Sequence, residues 1–473
     1  MTTTSTPADI AAALQTVCQR FLGEPAEITG LKRLTGGASM ESWAFDYGGK
    51  ELVMRRLPPA MAEADTDEGL GSMTIEQEAE IIRAAGHAGV TAPGIVGVLD
   101  PADGLSRGFL MTRIAGEAFA KTLQSDPGYQ PARNRFIQDC AREIARIHET
   151  PLEGTVADLP LLDAAASLQS LRERYDAYGA RSLMFEAAFA WLSAHQPRSG
   201  SETCLVHGDF RLGNLLLSET ELMGVLDWET AHRGDPVQDL AYICVPAWRF
   251  AVYDKPVAGI GEIEDLLAAY EVESGRSVDP VRFRFWLIYS TLWWGVACLT
   301  MANVWRTGLD RTLERAVIGR RVSEVELDLL LMLEGEHPPE GAHVDWAIPP
   351  ENPASGETAP FELTMALAEW IKADILPGVS GRDKFQALVA RNALGMLERH
   401  TRYGAAYRRD ALDRLHALSR TEGDMFALAR EGALDFSNAD VLRHLRCAAL
   451  ETLYLDQPRY PGLAYALKMW RAD

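Results

Sequence analysis

Residues 205–240 read LVHGDFRLGNLLLSETELMGVLDWETAHRGDPVQDL, and the rest of the chain is organised around this stretch. An apolar pair leads into a tight turn that carries Asp209, and Asn214 follows five positions later. A second short apolar segment, Met223–Leu226, then ends in Asp227. Apolar runs bounded by turn residues predict two buried strands, so the three polar side chains are expected on the loops beside them.

Two carboxylates and an amide at this spacing are the side chains that phosphoryl transfer requires. Asp209 is expected to accept the proton of an attacking hydroxyl, while Asn214 and Asp227 hold Mg²⁺ against the phosphates of a nucleotide. An amide oxygen and a carboxylate suffice, because Mg²⁺ prefers oxygen ligands and keeps much of its water. Taken singly, each residue also fits a turn between buried strands. The prediction of a phosphotransfer site therefore rests on the three residues together.

The chain resembles the aminoglycoside phosphotransferase and choline kinase superfamily in three motifs, HGDFRLGN (207–214), DWE (227–229) and DPVQDL (235–240). The resemblance covers about residues 10–345. It implies an α+β, bilobal, protein-kinase-like fold with an antiparallel-sheet N-lobe and a mostly helical C-lobe. It also implies a small-molecule kinase that uses ATP and Mg²⁺. In this comparison DWE stands where protein kinases carry Asp-Phe-Gly, and the aspartates of DPVQDL brace the catalytic loop.

The resemblance further implies a nucleotide-covering loop and a hinge in the N-lobe. Gly36, Gly37 and Ser39 lie between two predicted strands, where backbone N–H groups would approach phosphate oxygens. A glycine pair between strands also occurs in simple hairpins, so this assignment depends on the motifs downstream. Met111 and Arg113 fall in the hinge segment, whose backbone groups would contact the nucleobase.

A cation on the strand ELVMRRL (51–57) would bridge the nucleotide phosphates to a carboxylate on the following helix. Most relatives have Lys there, and Arg55 corresponds to it; a guanidinium keeps the charge of an ammonium but not its geometry. Glu78 shares a helix face with apolar residues and is therefore expected to point inward, toward Arg55. Two alternatives stay open: a register in which Arg56 takes this place, and arginines that simply lie on an exposed strand edge.

Composition excludes some classes of protein. The 473 residues carry a formal net charge of -21 with a pI near 5.0, which argues against a nucleic-acid-binding or polybasic membrane-surface protein. Six scattered cysteines without a CxxC pair indicate reduced thiols in a cytoplasm and no zinc site. The N-terminal segment lacks a signal-peptide pattern, and the uncharged run Phe285–Trp305 is expected to be a buried core helix rather than a membrane span.

Composition and periodicity divide the chain into a kinase-like N-lobe (1–113), a C-lobe with the catalytic loop (114–346), a proline-rich linker (347–360) and an all-helical accessory domain (361–473). The last part resembles a small helical domain of uncharacterised type that bacteria often encode beside such kinases. The fusion predicts that this domain packs on the kinase domain of the same chain or of a second one.

The motifs predict the reaction type but leave the acceptor open among three hypotheses. The first is a 4-hydroxyacyl-CoA, because the chain resembles the phosphotransferases attached to, or encoded beside, acyl-CoA dehydrogenases. Five arginines would then meet the phosphates of the CoA thioester, although they equally fit a solvated face: Arg306, Arg311, Arg315, Arg320 and Arg321. The second is an aminoglycoside or related antibiotic. The third is a catalytically silent nucleotide-binding module, in which Arg55 marks lost chemistry.

Overall fold

The computed structural model describes residues 6–34, 40–57, 73–197, 202–335, 337–350 and 356–471. The chain divides into two compact units. Unit 1 contains Met1–Asp163, Ser199–Cys244 and Lys255–Phe283, and unit 2 contains Ala164–Arg198, Val245–Asp254 and Arg284–Asp473. The domain boundaries expected from the sequence stay a prediction.

Unit 1 contains both strands and helices, whereas the described part of unit 2 contains helices and no strand. The strands are β1 Ile28–Arg33, β2 Glu41–Tyr47, β3 Lys50–Arg56, β4 Ile95–Val98, β5 Gly108–Thr112, β6 Leu161–Leu162, β7 Cys204–Val206, β8 Leu215–Leu217, β9 Leu222–Val225 and β10 His232–Gly234. The helices are α1 Pro7–Leu22, α2 Ile75–His87, α3 Ala120–Ser125, α4 Gln130–His148, α5 Thr155–Asp158, α6 Ala164–Ala177, α7 Leu183–Ala194, α8 Val237–Tyr242, α9 Ile263–Ser274, α10 Pro280–Thr307, α11 Leu313–Ile318, α12 Val322–Leu333, α13 Pro360–Trp370, α14 Gly381–Ala417, α15 Glu422–Arg430, α16 Ala439–Asp456 and α17 Pro461–Trp470.

The largest sheet of unit 1 has five strands in the order β1-β2-β3-β5-β4, and each neighbouring pair is antiparallel. This sheet is the antiparallel N-lobe that the sequence predicts, and the α+β fold class is confirmed. β3 lies between β2 and β5, so it is an inner strand of the sheet. Arg55, which β3 carries, therefore does not lie on a strand edge.

Helix α1 covers one side of this sheet. Thr6 begins the helix with a capping box, because its side chain and that of Asp9 each accept a hydrogen bond from the other residue's backbone N–H. The core between helix and sheet is apolar and buried: Ile10, Leu14, Val17, Cys18, Phe45, Tyr47, Leu52, Met54, Leu99, Leu105 and Leu110. Each such side chain contributes about 1.5–3 kcal/mol when fully buried. This core fixes β3 and hence the position of Arg55.

The catalytic stretch forms the predicted strand–loop–strand unit. Strand β7 precedes the loop that carries Asp209, and it pairs antiparallel with β10, which pairs in parallel with β6. Strands β8 and β9 form an antiparallel hairpin between Asn214 and Asp227. The two loops that bear the candidate catalytic residues therefore begin at the ends of paired strands.

Helix α10 contains the uncharged run Phe285–Trp305. It is the one helix among the described residues that is long and apolar enough to cross a membrane, and 67% of its most apolar window is buried inside the protein. A buried core helix passes the same test of length and composition. The fully buried Trp286 and Leu292 belong to this helix, as its interpretation as a core helix requires.

Candidate active site

The loop that carries Asp209 is held by the carboxylate of Asp239. The backbone N–H groups of His207 and Gly208 donate to its two oxygens, at 2.8 and 2.9 Å. His148 lies 3.3 Å from the same carboxylate, and its other ring nitrogen lies 2.8 Å from the hydroxyl of Tyr270. Burial alone would raise the pKa of Asp239, but its contacts with His148 and His207 lower it. An ionised Asp239 therefore holds the loop that carries Asp209 in place, which is the bracing role that the resemblance implied.

Gly208 allows the turn at this point. Its φ is +78°, a left-handed conformation that only glycine adopts without strain. A Cβ at this position would lie 2.7 Å from the carbonyl oxygen of Thr230. The Thr230 hydroxyl donates to the carbonyl of His207 at 3.1 Å, so the two loops are tied together here. Because the backbone at residue 208 lies so close to the backbone of Thr230, glycine is required next to Asp209.

Asp209 has three hydrogen-bond donors around its carboxylate. Arg211 Nε donates at 2.9 Å and Asn214 Nδ2 at 2.5 Å, and the hydroxyl of Tyr242 also donates to it. The side chain of Asp209 is 16% exposed, so only a small part of it is accessible to a substrate. Burial raises the pKa of Asp209 above its ordinary value, while the charge of Arg211 opposes the rise. A positioned carboxylate with a raised pKa is a suitable proton acceptor.

The residue before Asp227 is hydrogen-bonded to Asn214. The backbone N–H of Leu226 donates to the carbonyl of Asn214 at 2.9 Å, which places the end of β9 beside the Asp209 loop. Asp227 has a φ of +68°, a conformation that aspartate tolerates better than most residues. The amide nitrogen of Asn214 donates to Asp209. The amide oxygen of Asn214 is therefore the atom that could bind a metal ion. Amide and carboxylate oxygens are the hard donors that Mg²⁺ prefers, and the assignment of Asn214 and Asp227 to a metal ion stays a prediction.

One guanidinium nitrogen of Arg55 joins three carboxylates. Its Nη2 lies 2.6 Å from Asp227, 2.9 Å from Glu229 and 3.4 Å from Glu78. The predicted ion pair between Arg55 and Glu78 is present. The alternative register is wrong, because Arg56 pairs with Glu41 at 3.0 Å instead.

Charge and burial act in opposite directions in this cluster. Burial alone would lower the pKa of Arg55, but the three carboxylates raise it. Burial raises the pKa of Glu78 to about 7, although Arg55 opposes the rise. Burial would also raise the pKa of Asp227, but the charge and hydrogen bond of Arg55 keep it below its ordinary value. Asp227 is therefore held ionised, the state in which a carboxylate binds a metal ion.

Three contacts in the site were not predicted from the sequence. Arg211 and Tyr242 hold Asp209, and Glu229 shares the guanidinium of Arg55 with Asp227. Tyr242 follows Asp239 by three positions on α8, so helical spacing places both on the side that faces the catalytic loop. Glu229 lies in the quoted DWE motif. The sequence therefore indicates the orientation of Tyr242 and the motif that contains Glu229, but not that Glu229 pairs with Arg55.

Five further residues are predicted to contact the nucleotide. Gly36, Gly37 and Ser39 lie outside the described residues. Met111 lies on β5, where it pairs with Val53 of β3. The backbone N–H of Arg113 donates to the carbonyl of Glu51 at 3.0 Å, so this donor serves the sheet rather than a nucleobase. The assignments of all five residues to nucleotide binding stay predictions.

Three of the five arginines between 306 and 321 are paired with carboxylates. Arg315 pairs with Asp310 at 2.9 Å, Arg320 with Asp456 at 2.5 Å, and Arg321 with Glu324 at 2.9 Å. A guanidinium already paired with a carboxylate is a poor receptor for a phosphate, because a ligand must first displace the acid. These three are therefore poor candidates for contact with an anionic substrate, while for the exposed Arg306 and Arg311 such contact stays a prediction.

Fold and site together define a kinase-like phosphotransferase. The phosphotransferase enzyme family matches residues 30–281, more than half of the chain, and the chain belongs to this family. Residues 377–460 match a domain of unknown function, DUF6285. The sequence resemblance to a phosphotransferase with a C-terminal domain of uncharacterised type is therefore confirmed.

Several known proteins are similar to this chain. Acyl-CoA dehydrogenase family member 10 of Mus musculus is 28% identical over 296 residues, which are 55% of this chain and 26% of that protein. An aminoglycoside 3'-phosphotransferase of Escherichia coli is 25% identical over 224 residues, 45% of this chain and 76% of that protein. The chain thus spans only about a quarter of the mouse relative.

One solved structure shows the same fold. It is a Ralstonia eutropha protein provisionally assigned as an aminoglycoside phosphotransferase, with a TM-score of 0.54 at 22% sequence identity. The match covers 66% of this chain and 95% of that one. It confirms the predicted protein-kinase-like fold.

Proposed function

We propose that this phosphotransferase moves the γ-phosphoryl group of ATP, with Mg²⁺, to a hydroxyl group of a small molecule. The observation that carries the proposal is the convergence of Asp209, Asn214 and Asp227 at the ends of β7 and β9. Intact acid and metal-binding positions count against the silent-module hypothesis, because nothing in this trio has been replaced.

The residues would divide the reaction as follows. The acceptor oxygen attacks the γ-phosphorus, the bond to the β-phosphate oxygen breaks, and the hydroxyl proton passes to Asp209. Arg211 and Tyr242 hold the Asp209 carboxylate in place through their hydrogen bonds. Mg²⁺, held by Asn214 and Asp227, would neutralise charge on the phosphates. Arg55 would contact the phosphates, which would have to displace Asp227 and Glu229 from its guanidinium, while Glu78 keeps it in position.

The remaining N-lobe residues complete the proposed nucleotide site. Gly36, Gly37 and Ser39 would cover the phosphates, and the segment of Met111 and Arg113 would lie against the base. The N–H of Arg113 is used within the sheet, so base recognition here would involve other backbone groups of the hinge.

For the acceptor we propose a 4-hydroxyacyl-CoA. The support is the likeness to acyl-CoA dehydrogenase family members, of which this chain covers about a quarter to a third. The paired arginines of unit 2 weaken one argument for this choice. An aminoglycoside is the second candidate, since the Escherichia coli aminoglycoside 3'-phosphotransferase is 25% identical and covered over 76% of its length.

A screen of ATP consumption separates the two acceptors. The purified chain would be assayed with 3- and 4-hydroxyacyl-CoAs, with aminoglycosides and with choline, and Asp209→Ala would report background hydrolysis. We expect turnover above this background with hydroxyacyl-CoAs. Turnover only with amino sugars would favour the second candidate. No turnover with any acceptor, together with no thermal shift from Mg·ATP, would contradict the phosphotransferase proposal itself.

We also propose that the C-terminal helices pack on the helical part of the kinase domain of the same chain. Two contacts within unit 2 support this. Asp456 accepts from Arg320 at 2.5 Å, and Asp328 accepts from Tyr253 and from Tyr460, both at 2.7 Å. The proposed setting is a cytoplasm, with neither nucleic acid nor a membrane as partner. Six free, buried cysteines and the net charge of -21 support that setting.

A further inference from the structure

The helices α13 and α14 pack against each other but have no core beneath them over much of their length. We name residues 360–397, which comprise α13, the connecting turn and the first part of α14, the apolar hairpin. None of its residues before Met396 is buried. A pair of helices that buries neither face lacks the second layer that stabilises such elements in a domain.

Large apolar side chains are concentrated in the apolar hairpin. Among the described residues, twenty large apolar side chains are exposed, and seven of them lie here: Leu363, Met365, Leu367, Trp370, Phe385, Leu388 and Leu397. Three of the seven, Leu363, Leu367 and Trp370, recur at positions i, i+4 and i+7 and so form one stripe on α13. Each is 50–55% exposed. A stripe of exposed apolar side chains on one helix face indicates an interaction surface.

Charge distinguishes the apolar hairpin from the rest of the chain. Its four basic residues balance its four acidic ones, so its net charge is zero: Lys372, Arg382, Lys384 and Arg391 against Glu362, Glu369, Asp374 and Asp383. The whole chain carries -21, so all of the net charge lies elsewhere. Two copies that met through other acidic surfaces would repel each other, whereas two apolar hairpins would not. The balance also argues against a membrane surface, since interfacial helices carry a strongly basic polar face.

We propose that the apolar hairpin is a homodimerisation surface, on which two copies of this chain form a four-helix bundle. A helical hairpin is half of such a bundle, and a two-fold axis pairs the same patch of both copies. The stripe of Leu363, Leu367 and Trp370 offers on the order of 300 Å² per copy, so polar parts of the two helices would supply the rest of the roughly 1,200–2,000 Å² buried in stable interfaces. Trp370 is the expected anchor, because tryptophan is enriched among residues that dominate binding.

Sedimentation velocity of the full chain at increasing micromolar concentrations tests this proposal. We expect a species of twice the chain mass of 52.0 kDa. The double variant Leu367→Glu, Trp370→Glu should raise the dissociation constant by about 100-fold or more. Val272→Glu is the matched control, since Val272 is an 84% exposed apolar residue of unit 1 outside the apolar hairpin. It should remain a dimer.

Hydrogen exchange of the unmodified chain provides a second test that does not depend on a variant folding. Amide protection within residues 360–397 should increase with protein concentration, and protection in unit 1 should not. A chain that is monomeric at all concentrations would overturn the proposal and assign this face to a different partner. A dimer that the double variant leaves intact, or concentration-independent exchange of the apolar hairpin, would overturn it equally.

Discussion

The Nη2 atom of Arg55 lies 2.6 Å from Oδ1 of Asp227, although the two residues are 172 positions apart in the chain. The same nitrogen reaches Glu229 and Glu78. One guanidinium thus connects strand β3, helix α2 and the loop that bears the DWE motif. In a largely buried cluster, this cation sets both the position and the ionisation of Asp227.

Removal of Arg55 should destabilise the protein strongly. We expect Arg55→Ala to lower the free energy of unfolding by about 3–5 kcal/mol, because it leaves buried carboxylates without a counter-charge. Arg83→Ala is the control, since Arg83 pairs with the more exposed Glu80 on α2; its loss should be about 1 kcal/mol or less. Chemical denaturation measures both. Equal losses would contradict the role given to Arg55.

Substitution of Gly208 isolates the effect of close backbone approach. Gly208 and Gly104 have positive φ values, +78° and +69°, but only a Cβ at Gly208 would meet another backbone. The left-handed conformation costs either alanine variant about 1–2 kcal/mol. The clash with Thr230 should increase the total loss of unfolding free energy in Gly208→Ala to about 3 kcal/mol or more. Thermal unfolding compares the two, and a similar loss in both would show that the approach to Thr230 is unimportant.

The pH dependence of turnover tests the surroundings of Asp209. Burial raises the pKa of this carboxyl, and the hydrogen bond from Tyr242 opposes the rise. Asp209 must be ionised to accept a proton, so activity is lost as the pH falls through its pKa. Tyr242→Phe removes the opposing hydrogen bond and should move the acid limb of the kcat–pH profile to higher pH. An unchanged limb, or one moved to lower pH, would count against Asp209 as the titrating group.

The carboxylate of Asp227 should control metal-dependent nucleotide binding. Asp227→Ala removes one of two oxygen ligands proposed for Mg²⁺, so calorimetric titration with Mg·ATP should show binding at least about tenfold weaker. Asp265→Ala, which removes an exposed acid elsewhere in unit 1, should titrate like the unmodified chain. Identical titrations for Asp227→Ala and the unmodified chain would remove Asp227 from the metal site.

Local patterns explain why much of the site was predictable. Asp209 and Asn214 are five positions apart, so a single loop brings them together and their contact follows from spacing. Glu78 could be oriented because helical periodicity places it on the buried face of α2. The antiparallel N-lobe was implied by the resemblance to a known kinase superfamily.

Long-range contacts explain what the sequence did not reveal. Arg55 also binds Glu229, and this contact depends on how two segments 174 positions apart in the sequence meet. No local sequence pattern encodes such a contact. The pairing of Arg320 could not be read from the sequence because its acid partner, Asp456, lies 136 positions away. The grouping of Ala164–Arg198 with the C-terminal helices in unit 2 is likewise set by tertiary contacts.

The most direct test of the account is the turnover of Asp209→Ala with the acceptor found in the screen. Loss of a positioned proton acceptor should lower kcat by about 10²–10⁴, while Mg·ATP binding stays close to that of the unmodified chain. Turnover within about tenfold of the unmodified chain, well short of that range, would contradict the assignment of Asp209 as the catalytic base.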